Sequence, residues 1–128
     1  MSTTRVLLAD DHALVRAGLH SLLQTLPDVE VVAEAGDGRE AMQLIETTHP
    51  DVVLMDITMP GLNGLEAAAR ITKDHPKVRL IMLSGHADLR TTLEAINEAH
   101  VFRFLTKPCS PDDLAYCIRQ AAAAKEHM

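Results

Sequence analysis

The chain has 128 residues, of which 47% are hydrophobic and 23% are charged, a composition typical of one globular domain. Its formal net charge of −6 argues against the clustered basic surface that nucleic-acid binding requires. No apolar stretch is long enough to span a bilayer, and two cysteines are too few for a disulfide framework. We therefore expect one cytoplasmic domain over residues 1–128, with neither a nucleic acid nor a membrane as its partner.

Short apolar runs alternate along the chain with stretches of helical periodicity. The runs have the length and the near-continuous apolarity of strands that are covered on both faces. They occupy residues 6–9, 29–33, 52–55, 78–83 and 101–105.

A helix is predicted after each strand. Pro27 stops the first, and residues 37–40 form the N-cap and capping box of the second. Apolar residues at helical spacing indicate a third helix across residues 65–72 and a fourth across residues 89–96. The last helix begins at residues 110–113, where an N-cap serine precedes a proline and two acids. Five such units with right-handed crossovers predict an α/β fold, a five-stranded parallel sheet with helices on both faces.

Charged residues follow three of the predicted strands, either directly or after one further residue. Asp10 and Asp11 follow the first strand, Asp56 follows the third, and Lys107 follows the fifth. The carboxyl ends of parallel strands share one edge of a sheet, where open α/β sheets place their sites. Three carboxylates a few ångströms apart repel unless a cation lies among them, so the pattern predicts a site for a hard divalent ion.

Five motifs stand at the strand ends in the order typical of one family. They are Asp10-Asp11, Asp56 within residues 55–61, Ser84-Gly85, Phe104 and Lys107-Pro108. On these motifs the chain resembles the receiver domain of bacterial response regulators, the CheY-like superfamily, over essentially its full length. The resemblance implies a flavodoxin-like, doubly wound (βα)5 fold. It also implies Mg²⁺-dependent phosphoryl transfer from the phosphohistidine of a histidine kinase to one aspartate.

The resemblance further implies a role for each charged residue. Asp56 is the expected nucleophile, which forms an acyl phosphate. Mg²⁺, for which Mn²⁺ is an acceptable substitute, is held directly by Asp11, Asp56 and the main-chain carbonyl of Thr58. Asp10 acts mainly through a metal-bound water. Lys107 pairs with Asp56 at rest and with a phosphoryl oxygen after the transfer.

Ser84 and Phe104 resemble the family's conformational switch. The hydroxyl of Ser84 is expected to move toward a phosphoryl oxygen, and the ring of Phe104 then rotates into the vacated space. The face remodelled by this change comprises the predicted fourth helix, the last strand and the last helix, the α4-β5-α5 face of the family. Such a domain catalyses only its own phosphorylation and dephosphorylation and is not an enzyme with an outside substrate.

Each motif taken alone has a simpler interpretation. An Asp-Asp pair after a strand is more often a helix N-cap and a solvated acid, and Asp56 could cap the turn before Pro60-Gly61. Lys107 would be a solvated surface lysine, and Phe104 a core residue. Six of the seven histidines are interpreted as surface or loop residues: His12, His20, His49, His75, His100 and His127.

Three other functions compete with this interpretation. A dinucleotide-binding domain shares the architecture, but acids replace the glycine-rich turn after the first strand. A phosphatase of the haloacid dehalogenase type needs a second aspartate two positions after the nucleophile, where Thr58 stands. An interaction module with a lapsed phosphorylation site remains open, although every signature position is filled.

The expected partners are a sensor histidine kinase or phosphotransfer protein and a downstream output domain or target protein. The first half of the chain resembles receivers attached to helix-turn-helix DNA-binding domains. The second half resembles receivers attached to cyclic-dinucleotide phosphodiesterases or kinases. The output therefore stays open, as does homodimer formation on phosphorylation. Kinase specificity is expected to depend on the first helix, around residues 13–17, and on the loop after Lys107.

Overall fold

The computed structural model describes residues 3–56, 64–84, 103–106 and 110–126. The strands are β1 (Thr4–Ala9), β2 (Val29–Ala35), β3 (Val52–Asp56), β4 (Arg79–Ser84) and β5 (Arg103–Thr106). The described helices are α1 (Ala13–Gln24), α2 (Gly38–Thr48), α3 (Gly64–Asp74) and a last helix, Pro111–Glu126. The predicted fourth helix, residues 89–96, lies outside the described residues.

The strands form one five-stranded parallel sheet in the order β2-β1-β3-β4-β5. The predicted fold is therefore confirmed, and the strand ends differ from the sequence prediction by only one or two residues. β1 lies between β2 and β3, so the order of strands reverses there. In doubly wound sheets the crevice at such a reversal, outside the carboxyl ends of the strands, is the usual place for a ligand.

Each face of the sheet carries its own apolar core, because alternate residues of a strand point to opposite faces. Leu7, Val53 and Met82 face α2 and α3, where Ile45 and Ile71 are fully buried. The neighbouring strand residues face the opposite side, against α1 and the last helix. This second core contains Val6, Leu8, Leu23, Val52, Leu54, Ile81, Leu114, Cys117, Ile118 and Ala121.

Two predicted helix starts are confirmed by their hydrogen bonds. The main-chain N–H of Glu40 donates to Asp37 Oδ1 at 2.8 Å, and the N–H of Asp113 donates to Ser110 Oγ at 3.1 Å. Glu40 Oε1 in turn accepts from the N–H of Gly36 at 3.1 Å, one residue before the N-cap itself. The bonds to Asp37 and Ser110 satisfy donors that the first turn of a helix leaves without an intrahelical partner.

At the amino edge of the sheet, Asp51 fixes the start of β3 against β1. Asp51 Oδ2 accepts from the main-chain N–H of Arg5 at 2.9 Å, and the N–H of Asp51 donates to the carbonyl of Arg5 at 2.8 Å. The Arg5 guanidinium also donates to the carbonyl of His49 at 3.0 Å, where the chain leaves α2 in a left-handed conformation. The paired register of β1 and β3, set here, determines which residues meet at the opposite edge.

Among the described residues, no helix has both the length and the apolarity needed to cross a membrane.

We expect Leu54→Ala to lower the free energy of unfolding by about 2–5 kcal/mol, because the truncation leaves a cavity in a filled core. Leu54 is 1% exposed, whereas Leu14 on α1 is 87% exposed. The matched variant Leu14→Ala should therefore stay within about 0.5 kcal/mol of the wild type. Urea denaturation measures both values. Equal losses for the two variants would contradict the burial described here.

Candidate functional site

Two buried carboxylates lie side by side at the carboxyl edge of the sheet. Asp10 follows β1 directly and Asp56 is the last residue of β3, and the register of the two strands pairs Ala9 with Met55. The two acids therefore occupy adjacent positions, and each is 1% exposed. The N–H of Asp10 donates to the carbonyl of Ala35 at 3.0 Å, which ties the same point to the end of β2.

Asp11 and His12 complete a compact group with these two acids. Each of Asp10, Asp11, His12 and Asp56 offers one ligand atom, and all four atoms lie within 4.8 Å of one another. Asp10 Oδ1 accepts from the main-chain N–H of His12 at 2.9 Å, which shapes the turn into α1. The His12 ring Nδ1 lies 3.1 Å from Asp11 Oδ1 and 3.4 Å from Asp10 Oδ1. We call these four residues the acidic centre.

The donor set of the acidic centre fits a divalent cation. Two unit negative charges 4.8 Å apart repel by about 3.5 kcal/mol at an effective dielectric constant near 20. Asp11 Oδ1 is buried and accepts no hydrogen bond, and the His12 Nδ1 that lies 3.1 Å away offsets its charge only when that ring is protonated. A cation bound among these oxygens would relieve the repulsion and offset this charge. Carboxylate oxygens are also the ligands that Mg²⁺ and Mn²⁺ prefer.

Arg16 connects the acidic centre to α1 and β2. Its Nη1 donates to the main-chain carbonyl of Asp10 at 2.6 Å, and its Nε donates to Glu34 Oε1 at 3.2 Å. Glu34 Oε2 lies 2.8 Å from Nδ1 of His20, one turn further along the same helix. The guanidinium of Arg16 thus contacts both a main-chain carbonyl and Glu34. Through the first contact it fixes the backbone of Asp10, whose carboxylate is buried.

The structure brings together the three acids that the sequence predicted, Asp10, Asp11 and Asp56. Thr58 and Lys107 lie outside the described residues, so their expected roles stay predictions.

The two predicted switch residues are placed by their strands. Ser84 ends β4, next to the end of β3, and pairs with Thr106 in β5. Phe104 lies in β5 opposite Met82. Both residues therefore lie on the strands on which the motifs placed them.

His12 is the member of the acidic centre that the sequence prediction missed. Its side chain is 65% exposed, so the interpretation as a surface residue is correct. That interpretation nevertheless overlooked the proximity of the ring to Asp10 and Asp11. The sequence offered one signal for this proximity: His12 follows Asp10 and Asp11 directly, at the carboxyl end of the first strand.

A family model for the response regulator receiver domain matches residues 6–119. The chain belongs to this family. It is therefore a receiver domain of two-component signalling, and receiver domains generally bind Mg²⁺ at an acidic pocket.

Similar proteins include response regulators and the receiver domains of other proteins. The response regulator protein VraR of Staphylococcus aureus is 36% identical over 120 residues, which cover 94% of this chain and 57% of VraR. This receiver domain thus spans little more than half the length of the curated relatives that it matches.

Two solved structures show the same fold. A LuxR-family response regulator from Aurantimonas sp. SI85-9A1 has a TM-score of 0.89 and 37% identity, covering 96% of this chain and 87% of its own. The receiver domain of an HD domain-containing protein from Pseudomonas fluorescens Pf-5 has a TM-score of 0.90 and 30% identity, covering 98% and 99%.

We expect Mg²⁺ to stabilise the receiver domain, because the cation binds only where the fold assembles the carboxylates. At a Mg²⁺ concentration 100 times its Kd, the free energy of unfolding should rise by about 2.7 kcal/mol. Asp11→Ala should remove this gain. The matched variant Asp74→Ala, at the exposed end of α3, should keep it.

Thermal or urea unfolding at constant ionic strength, with and without Mg²⁺, measures the effect. An equal Mg²⁺ response in Asp11→Ala and the wild type would contradict a cation site at the acidic centre.

Proposed function

We propose that the chain is a phosphoacceptor domain in which Asp56 receives a phosphoryl group with the help of a divalent cation. The observation that carries this proposal is the placement of Asp56. It is a 1% exposed carboxylate at the carboxyl end of β3, and its ligand oxygen lies within 4.8 Å of those of Asp10 and Asp11. A lone buried acid would be costly, and a buried acid beside two others is costlier still unless a cation lies among them.

The proposed cation is Mg²⁺, with Mn²⁺ as a substitute. Asp11, Asp56 and the main-chain carbonyl of Thr58 would hold it directly, and Asp10 would act through a water. The hydrogen bonds of the acidic centre support this division. Asp10 Oδ1 is already engaged by the N–H of His12, while Asp11 Oδ1 has no hydrogen-bond partner. When bound, the cation neutralises part of the negative charge of the carboxylate and the phosphoryl group.

The proposed reaction is an in-line displacement at phosphorus. A carboxylate oxygen of Asp56 forms a bond to the phosphorus of a phosphohistidine, and the phosphorus–nitrogen bond breaks. The electron pair of that bond leaves with the imidazole nitrogen of the donor. The ammonium of Lys107 would pair with a phosphoryl oxygen, because two anions meet in this step and neutralisation is the main requirement.

Hydrolysis of the resulting acyl phosphate by water would return Asp56 to its carboxylate form. The chain would therefore catalyse only its own phosphorylation and dephosphorylation, and it is not proposed as an enzyme that acts on a separate substrate.

Ser84 and Phe104 are the proposed switch that reads this modification. Ser84 ends the strand next to Asp56, since Asp56 pairs with Leu83 in the register of β3 and β4. Ser84 is thus one residue beyond the β4 position that lies opposite Asp56, the proposed phosphoryl acceptor. β5, which carries Phe104, is the next strand in the sheet, so a change at Ser84 would have a short path to β5 and to the α4-β5-α5 face that the family resemblance implies.

The proposed donor is a sensor histidine kinase or a phosphotransfer protein that docks on the start of α1. Leu14 and Val15 are 87% and 39% exposed there, directly after the acidic centre. Exposed large apolar side chains beside a reactive group are suited to a protein partner.

The output of the domain is also a proposal. Relatives include LuxR-family regulators and an HD domain-containing protein. These names characterise the relatives and do not fix the output of this chain. A downstream output domain or target protein, a cytoplasmic location and homodimer formation on phosphorylation are proposed for this chain by analogy with response regulators.

Incubation with acetyl phosphate and Mg²⁺ should add one phosphoryl group, about 80 Da (HPO₃), to the wild type. The adduct should need Mg²⁺ and be absent from Asp56→Ala. Asp74→Ala, an exposed acid removed as a matched control, should be labelled like the wild type. Intact mass spectrometry measures all of these. An unlabelled wild type, beside a known receiver labelled in the same buffer, would favour an interaction module whose phosphorylation site has lapsed.

Ser84→Ala should still be phosphorylated, because the hydroxyl is not the nucleophile, but the change should no longer spread across the sheet. We expect phosphorylation to shift the amide resonances of the last helix in the wild type and to shift them less in Ser84→Ala. Ser21→Ala, on the exposed side of α1, is the control. Equal shifts in all three proteins would remove Ser84 from the switch.

A further inference from the structure

The ring of His12 faces the acids of the acidic centre and not the helix that it precedes. His12 is the N-cap residue of α1, yet its side chain makes no capping hydrogen bond. Its Nδ1 lies instead 3.1 Å from Asp11 Oδ1 and 3.4 Å from Asp10 Oδ1. The main-chain N–H of His12 donates to Asp10 Oδ1 at 2.9 Å, so the backbone that carries the ring is fixed to the same carboxylate.

An imidazole changes the chemistry of an otherwise oxygen-only centre. Mg²⁺ is a hard cation that prefers carboxylates, carbonyls and water, and it has little affinity for nitrogen. Zn²⁺, Co²⁺ and Ni²⁺ bind imidazole nitrogen well. A nitrogen donor among three carboxylates would therefore raise the affinity for these ions and leave that for Mg²⁺ nearly unchanged.

We propose that His12 is a metal ligand of the acidic centre, which makes the centre a binding site for a borderline transition-metal ion such as Zn²⁺ as well as for Mg²⁺. This inference rests on the proposed cation site of the phosphoacceptor. It adds a second class of cation and a residue that discriminates between the two classes.

The alternative role for His12 is that of a counter-ion to Asp10 and Asp11. The two roles predict opposite effects when the ring is removed. Loss of a ligand weakens the binding of Zn²⁺ and spares that of Mg²⁺. Loss of a competing positive charge strengthens the binding of every divalent cation.

The test is calorimetric titration of Zn²⁺ and, separately, of Mg²⁺ into the wild type, His12→Asn and His49→Asn. Asparagine is a favourable N-cap residue, so His12→Asn keeps the start of α1. His49 lies at the opposite edge of the sheet with φ of 49°, which asparagine tolerates, so His49→Asn controls for Zn²⁺ bound by exposed histidines. All titrations are made near pH 8 and repeated near pH 6, because an imidazole acts as a counter-ion only when it is protonated, and the ring resonances of His12 are followed by NMR.

We expect His12→Asn to weaken Zn²⁺ binding by about tenfold or more and to change Mg²⁺ binding by less than about twofold. His49→Asn should bind Zn²⁺ at the acidic centre as tightly as the wild type does. In the wild type, Zn²⁺ should shift the ring resonances of His12 strongly and Mg²⁺ only weakly.

Tighter binding of both ions by His12→Asn would establish the counter-ion role and overturn the proposal. Unchanged Zn²⁺ binding in His12→Asn, with normal Mg²⁺ binding and Mg²⁺-dependent labelling of Asp56, would overturn this inference alone. If the wild type bound neither ion, both the inference and the proposed cation site would fail.

Discussion

The repulsion between carboxylates held at the ends of neighbouring strands is the constraint on which the rest of the structure depends. Asp10 and Asp56 are each 1% exposed, and Asp11 lies beside them with a buried oxygen that has no hydrogen-bond partner. Solvent screens the buried Asp10 and Asp56 poorly, although it reaches the partly exposed side chain of Asp11, and the strands that carry these acids cannot separate without opening the sheet. A divalent cation, and then a phosphoryl group whose charge that cation offsets, are the natural complements of such an arrangement.

The sheet supplies the rigidity that keeps these charges together. β1 and β3 are covered on both faces, so any displacement of their ends would disturb two filled cores at once. Asp51 and Arg5 fix the same two strands at the opposite edge. Arg16 holds the carbonyl of Asp10 from α1. The centre is thus organised before any ligand binds, which is what a reaction controlled by electrostatics requires.

Much of the fold and of the site follows from local rules. Short stretches of sequence encode the apolar strands, which are buried on both faces, and the helix caps at Asp37 and Ser110. The acids at the strand ends then converge because the strands are parallel. Adjacency indicated that His12 lies near Asp10 and Asp11, but the orientation of its ring was not predictable, because it depends on the turn after Asp10 and not on any periodicity. The contact between Asp51 and Arg5, 46 residues apart, likewise depends on the assembled register.

The most direct test locates the phosphoryl group on the chain. After labelling with acetyl phosphate and Mg²⁺, borohydride reduction converts an aspartyl phosphate to homoserine, and tandem mass spectrometry of the peptides then identifies the modified position. We expect homoserine at position 56, in proportion to the label and absent without Mg²⁺. Homoserine at Asp10 or Asp11, or label that resists reduction because it lies on a histidine, would contradict the assignment of Asp56 as the acceptor at a cation centre.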